Sequence, residues 1–438
     1  MAKYGEIQSR DRGQWSSEPA FVFSMAAAAV GLGNLWRFPY MVGENGGAAF
    51  ILAYLFALVV LVLPIMMLEI SAGRLAAGST VHTFRQVNRF GTVYGWFVVL
   101  LTTAITSYYL VITGWTLGYA VDAWRGELRQ FGEFTAGYNS LWFFFVVTAL
   151  ASAVLIRGVT AIETLSKFLM PVLLLVIITL VITASRMDGF PEARNFLLQA
   201  DFSQLKSTRL WVFAFGQAFY TLAIGQGYLV TYGSYIPRET HVPRASLIVA
   251  GTETSIALLA GWMIFPFVFT FGLDPGEGSQ LAFSTLPHVF GSMDTGRIMG
   301  ILFFTLFFAA AFSSCLAGMK VLISAVAEEF NLSNRAAVGT VTAILVVLGV
   351  PSALSFSPVE LSVGGMPFLD FLDQVGGTNV VIFSGLMGAG LFCWFVPPHK
   401  VRAALGVRSR WWEWRIYLVG RFLPLLVVVW LVGTWILR

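Results

Sequence analysis

Charge is scarce in this chain. Asp, Glu, Lys and Arg make up 11% of its 438 residues, against roughly 25% in a soluble domain. With 57% hydrophobic residues and a mean hydropathy of +0.77, a soluble globular fold is excluded. Cysteine is almost absent: Cys315 and Cys393 both fall in apolar runs, which excludes a disulfide framework and reads as buried small hydrophobes. The four histidines (His82, His241, His288 and His399) fall in loops without metal-ligand spacing and are expected to be structural or solvated. There is no His-Glu-x-x-His, no Gly-x-Ser-x-Gly and no Gly-x-x-x-x-Gly-Lys-Ser/Thr, so neither intramembrane catalysis nor nucleotide-driven pumping is expected. The protein is expected not to be an enzyme. The small positive excess, 27 Lys and Arg over 23 Asp and Glu, is not a nucleic-acid signal, because it collects in loops on one side of a membrane.

What the sequence has is apolar runs of about 20 residues, each long enough to span a bilayer. Hydropathy and turn signals place spans near 18–41, 46–72, 92–124, 140–157, 163–184, 209–236, 244–272, 294–326, 335–357, 368–396 and 414–437. The expectation is an all-α polytopic protein of about eleven transmembrane helices in the cell (inner) membrane, with the lipid bilayer as partner. Basic residues such as Arg10, Arg12, Arg85, Arg89, Arg238, Lys400 and Arg402 favour a cytoplasmic N-terminus and an extracytoplasmic C-terminus. The first apolar segment follows a polar start and leads to no small-residue cleavage site, so no cleavable signal peptide is expected. The long external segments 186–208 and 273–293 mix Pro, Gly and both charge signs and read as structured caps.

One span is built oddly. Ala26 to Pro39 is hydrophobic yet interrupted by Gly31, Gly33 and Asn34 and closed by Arg37. An unsatisfied backbone group costs several kcal/mol in hydrocarbon, so a membrane helix breaks only where protein or a polar cavity supplies partners. A second interruption, Gly225-Gln226-Gly227, falls in the sixth span. Breaks opening two sets of five spans predict an inverted repeat, with the eleventh span outside it, and mark a transporter's binding site.

Trp15, the run Ala29-Val-Gly-Leu-Gly-Asn-Leu-Trp-Arg-Phe-Pro39, Glu44-Asn-Gly-Gly47 and Gly216-Gln-Ala-Phe-Tyr-Thr221 resemble the neurotransmitter:sodium symporter family, over about Arg12 to Asp373. The resemblance implies a LeuT-type 5+5 inverted repeat with broken first and sixth helices. The expected divisions are 1–17, a cytoplasmic segment with the inner gate; 18–184, the first repeat; 185–208, an extracellular loop; 209–396, the second repeat with its cap loop 273–293; and 397–438, a cytoplasmic loop and the eleventh helix.

The same resemblance implies site residues. Free amides at Leu32 and Gly33 would hold a substrate carboxylate, for which a helix start supplies donors and positive potential, and Tyr109 would add its hydroxyl. Monoamine-transporting relatives carry Asp where this chain has Gly31, so glycine here favours an amino acid that brings its own carboxylate. Sodium is a hard cation that takes oxygen ligands. Two ions are expected, one with the Ala29 carbonyl, Asn34, Thr221 and Glu253, the other with the Ala27, Val30 and Ala310 carbonyls and the hydroxyls of Ser313 and Ser314. Glu253 stands where the best-known bacterial member has Asn, and Ala257 replaces that member's carboxylate one turn on. Glu253 is therefore expected to serve as sodium ligand and as a fixed substitute for the chloride of animal relatives, so that chloride is not required.

By position Ala28, Ile105, Tyr109, Tyr220, Ala223, Gln226, Ser314 and Gly318 would line the side-chain pocket. Small residues at Ala28, Ala223 and Gly318, with Gln226 as a polar group, favour a bulky or polar neutral amino acid, aromatic included. A small aliphatic substrate stays open, as does packing for Gly318. Arg37 and Asp373 would form the outer gate, Arg12 and Glu328 the inner one, supported by Trp15 and Tyr235; Asp370 is either a second vestibule carboxylate or a surface charge. The implied function is sodium-coupled amino-acid import by alternating access. A non-transporting sensor or a channel is the alternative from another class.

Overall fold

The computed structural model describes residues 14–237, 239–276, 282–283, 286–406 and 410–436. Helices follow the apolar runs closely. The first span is the pair Glu18–Ala29 and Gly33–Glu44, bent by 49°. Ala48–Ala76, Arg89–Arg125, Asn139–Leu155 and Val159–Ala184 complete the first five. The sixth is divided into Thr208–Thr221 and Tyr228–Gly233. Val242–Thr270, Gly296–Glu329, Asn334–Ala353 and Phe368–Phe395 follow, and Arg410–Ile436 is the eleventh. Among the described residues seven helices, or eight with the bent pair, are long and apolar enough to cross a membrane unaided. Of the remaining three, Asn139–Leu155 has 17 residues, the sixth is cut by its own break, and Arg410–Ile436 is not among those that qualify.

Capping explains several boundaries. The side chains of Ser17, Ser79, Asn88 and Ser333 accept from amides of the helix starts that follow them, satisfying orphan donors. The loop 185–208 carries a helix, Phe190–Leu198, and a 3-10 turn, Phe202–Lys206, in keeping with a structured cap. One element escapes the hydropathy reading. Ser362–Val363 pairs with Met366–Pro367 as a short antiparallel hairpin, turned by Gly364 and Gly365 at φ +61 and +82, the left-handed pair that such a turn favours.

The two breaks lie at the centre of the molecule, and protein satisfies them. At the second, Ala223, Gly225 and Gly227 all take left-handed backbone (φ 51, 75 and 74). Gly225 N donates to Glu69 Oε1 (2.9 Å), its carbonyl accepts from Ser384 Oγ (2.6 Å), and the Gln226 carbonyl accepts from Thr102 Oγ1 (2.7 Å). Spans two, three and ten thus supply what the broken sixth helix lacks.

Candidate functional site

Gly31 sits where the first break meets spans three and eight. A Cβ there would collide with Ser314 Oγ and Tyr109 Oη, so the position holds no side chain in this arrangement. Leu32 N donates to Tyr109 Oη at 2.8 Å. Two of the three donors expected on a carboxylate, the Leu32 amide and the Tyr109 hydroxyl, therefore already converge, close enough for one carboxylate oxygen to reach both. Gly33 packs under Tyr220, whose ring carbons would lie 3.3 and 3.4 Å from a Cβ. The Gly33 carbonyl accepts from Gln217 Nε2 (2.8 Å), and Gln217 Oε1 accepts from Arg37 Nη1 (3.2 Å). Gln217 lies inside the quoted Gly216–Thr221 motif, yet sequence reasoning gave it no role.

Two oxygen-rich clusters flank the break. In one, Ser313 Oγ donates to the carbonyls of Ala27 (2.7 Å) and Ala310 (2.9 Å). Ser314 Oγ reaches the Ala28 carbonyl (2.9 Å) and those of Val30 and Ala310 (both 3.4 Å). All five ligands expected at the second ion site are thus linked to one another. In the other cluster Glu253 is fully buried (0% exposed). Its Oε1 accepts from Asn34 Nδ2 and Thr221 Oγ1, and its Oε2 from Thr254 Oγ1 (3.3 Å) and Tyr54 Oη (3.4 Å). Four donors surround a carboxylate that burial would otherwise make costly. Tyr54 is a partner the sequence did not announce.

A cavity between the breaks is lined by Ala28, Ala29, Gly33, Ile105, Tyr109, Tyr220, Thr221, Ala223, Gln226, Tyr228 and Ser314. Seven of the eight expected pocket residues are among them. The eighth, Gly318, lies one layer behind: a Cβ there would meet Tyr228 Oη at 2.5 Å and Thr106 Oγ1 at 2.6 Å. Gly318 makes room for a tyrosine of the sixth helix, and the tyrosine faces the cavity in its place.

Both ends are closed. On one, Arg37 is 1% exposed, its guanidinium 4.5 Å over the Tyr220 ring, and the Asp373 charge acts on it. Asp373 Oδ1 also accepts from Tyr108 Oη (2.7 Å). Asp370, half-buried beside this gate, lines an aromatic cavity with Trp36, Trp115, Phe131, Phe283, Phe356 and Leu369. On the other end Trp15 is 2% exposed. Its amide donates to the Tyr235 carbonyl (3.0 Å), its indole to the Tyr232 carbonyl (3.1 Å), and Tyr235 Oη meets Ser324 Oγ (3.2 Å). Arg12 lies outside the described residues. Its expected partner Glu328 accepts from Ser79 N (2.6 Å) and stands 3.7 Å from Nδ1 of the partly exposed His82.

Glu69 is the clearest omission from the sequence reading. It is buried in the second span with Oε1 on Gly225 N and no partner for Oε2 among the described residues. An ionisable residue within a span is a functional signal in itself.

The sequence profile of the sodium:neurotransmitter symporter family matches residues 12–140 and 126–434. A sodium-dependent transporter of Haemophilus influenzae is 31% identical over 422 residues, covering 91% of this chain and 92% of that protein. The sodium-dependent transporter YhdH of Bacillus subtilis is 31% identical over 439 residues, covering 95% and 96%. Among solved structures, that of MhsT in complex with L-phenylalanine has a TM-score of 0.88 at 33% identity, over 96% of this chain and 99% of that one. Family and structural neighbours are transporters rather than enzymes, and the fold is the LeuT type. With its breaks, closed ends and oxygen clusters in this arrangement, the chain belongs to the sodium:neurotransmitter symporter family.

Proposed function

We propose that this sodium-dependent transporter imports a neutral, bulky or aromatic amino acid with two sodium ions and without chloride. The observation that carries the reading is the convergence of Leu32 N and Tyr109 Oη beside a Gly31 that has no room for a side chain. A substrate lacking a carboxylate would leave those donors without the negative partner their geometry suits. Asn34, Thr221 and Glu253 would hold one ion, with the Ala29 carbonyl and the substrate carboxylate completing its shell. Ser313, Ser314 and the carbonyls they bind would hold the other. Sodium touching the carboxylate makes the two ligands stabilise each other's binding reciprocally, which couples the inward sodium gradient to accumulation. Filling both sites would favour closure of Arg37 toward Asp373. Spans one, two, six and seven would then rock against the rest. The N-terminus is read as cytoplasmic and the C-terminus as extracytoplasmic.

Support for a bulky side chain comes from Gln226 and the small Ala28 and Ala223 on the cavity wall, and from the phenylalanine of the MhsT complex. A second reading, a small aliphatic substrate, is favoured by Tyr228, which fills the space that Gly318 alone would leave open. Uptake into proteoliposomes, with an amino-acid panel competing against one radiolabel and sodium, chloride and pH varied independently, tests all of this. Competition by phenylalanine over alanine supports the first reading, and the reverse order the second. Strict chloride dependence, or uptake unchanged by Glu253→Ala, would overturn the role given to Glu253. Accumulation without a sodium gradient would overturn the coupling.

A further inference from the structure

Arg421 belongs to neither break nor gate. It lies in the eleventh helix, six residues beyond Arg415, or about 9 Å further along the axis at 1.5 Å per residue. An arginine at that depth is costly unless something answers its charge. Its guanidinium carbon stands 4.7 Å from the Trp394 ring centroid, 5.6 Å from that of Tyr417 and 5.9 Å from that of Phe422. Two of those rings are tied by hydrogen bonds: Trp394 Nε1 donates to the Arg421 carbonyl (2.8 Å) and Tyr417 Oη to the Cys393 carbonyl (3.2 Å).

The rings orient the guanidinium without neutralising it. Nη1 donates to Tyr417 Oη at 2.9 Å, while Nε is buried with no acceptor among the described residues. Glu413, the single acidic residue of this helix, lies 3.9 Å from Arg402. The group opens toward lipid, since Trp394, Phe422 and Leu425 are all about half exposed. It also lies near a water boundary, because Trp394 is one residue from the end of the tenth span and Pro397-Pro398 follow.

We propose that Arg421, framed by Trp394, Tyr417 and Phe422, binds the phosphate of an anionic phospholipid. A planar guanidinium suits phosphate oxygens in forked geometry, and aromatic faces hold its plane. One positive charge with no acidic partner among the described residues matches a phosphodiester whose headgroup brings no cation of its own, so phosphatidylglycerol fits and phosphatidylcholine does not. Lipid-facing rings favour a phosphate carried on acyl chains over a soluble one.

Native mass spectrometry of the full-length protein in detergent, titrated with phosphatidylglycerol, phosphatidylcholine or glycerol phosphate, tests this. The wild type should retain phosphatidylglycerol about tenfold better than phosphatidylcholine, and Arg421→Gln should reduce that retention to the phosphatidylcholine level. Equal retention of the two lipids, no effect of Arg421→Gln, or displacement by glycerol phosphate at the same concentration would overturn the proposal. If Arg421→Gln does not survive purification, Arg421→Lys, which keeps the charge and loses the fork, should raise the titration midpoint about threefold. An unchanged midpoint would overturn it equally.

Discussion

Glu253 buries a carboxyl group at the centre of a membrane protein, with four hydrogen-bond partners from spans one, two, six and seven. Replacing it by alanine leaves Asn34, Thr221 and Tyr54 facing a void. Each buried group left unpaired costs about 1–3 kcal/mol. Glu253→Gln keeps the shape and removes the charge, so its half-saturating sodium concentration should rise about tenfold, equivalent to about 1.4 kcal/mol; a sodium titration of uptake reads this directly. Gly31 makes the opposite demand. Gly31→Ala drives a methyl into Ser314 Oγ and Tyr109 Oη, and overpacking of this kind costs about 1–3 kcal/mol. Uptake should fall to background while the protein still elutes as a folded species on size exclusion. Glycine and glutamate were legible in the sequence because each is the wrong residue for an ordinary span. Tyr228 was not. Its burial against Gly318 is a contact between distant helices, and from sequence alone a glycine in span eight could open a pocket or admit a neighbour.

At the scale of elements, the second break shows how an interrupted helix is kept intact in hydrocarbon. Its free groups are taken by Glu69, Thr102 and Ser384, one from each of three neighbouring spans. Glu69→Gln retains an acceptor for Gly225 N and should leave the melting temperature nearly unchanged. Glu69→Leu removes the acceptor, a loss of about 1–3 kcal/mol, and should lower it measurably by thermal scanning in detergent. Gly225→Ala should be more damaging. The left-handed backbone costs a non-glycine residue about 1–2 kcal/mol, and the added methyl would press on the backbone of Val381 and Gly385 in the tenth span. The break itself could be read from Gly-Gln-Gly, since two glycines in a span advertise unusual backbone. Its partners could not, because a threonine or serine within a span bonds its own helix as readily as another. The Gly364 and Gly365 hairpin was overlooked for a simpler reason: two-residue strands leave too little alternation to register.

Across the whole molecule, the described structure is closed at both ends, with Arg37 over Tyr220 on one side and Trp15 against Tyr232 and Tyr235 on the other. Such a state persists only while both closures are balanced, and removing one shifts the population toward the form it restrained. Trp15→Ala should raise the labelling, by a membrane-impermeant thiol reagent, of a cysteine placed at Ser324, when the reagent is supplied from the side that Trp15 seals. It should also weaken substrate binding, since the closed form that holds the substrate becomes rarer. The serine pair on span eight bears on which ion the proposed site would admit. Ser313 and Ser314 bond carbonyls of span one and so lace the two helices together. A sodium held there would meet oxygens already gathered at one place. The same close lacing sets a size limit, because a larger alkali ion would have to prise spans one and eight apart before it could enter.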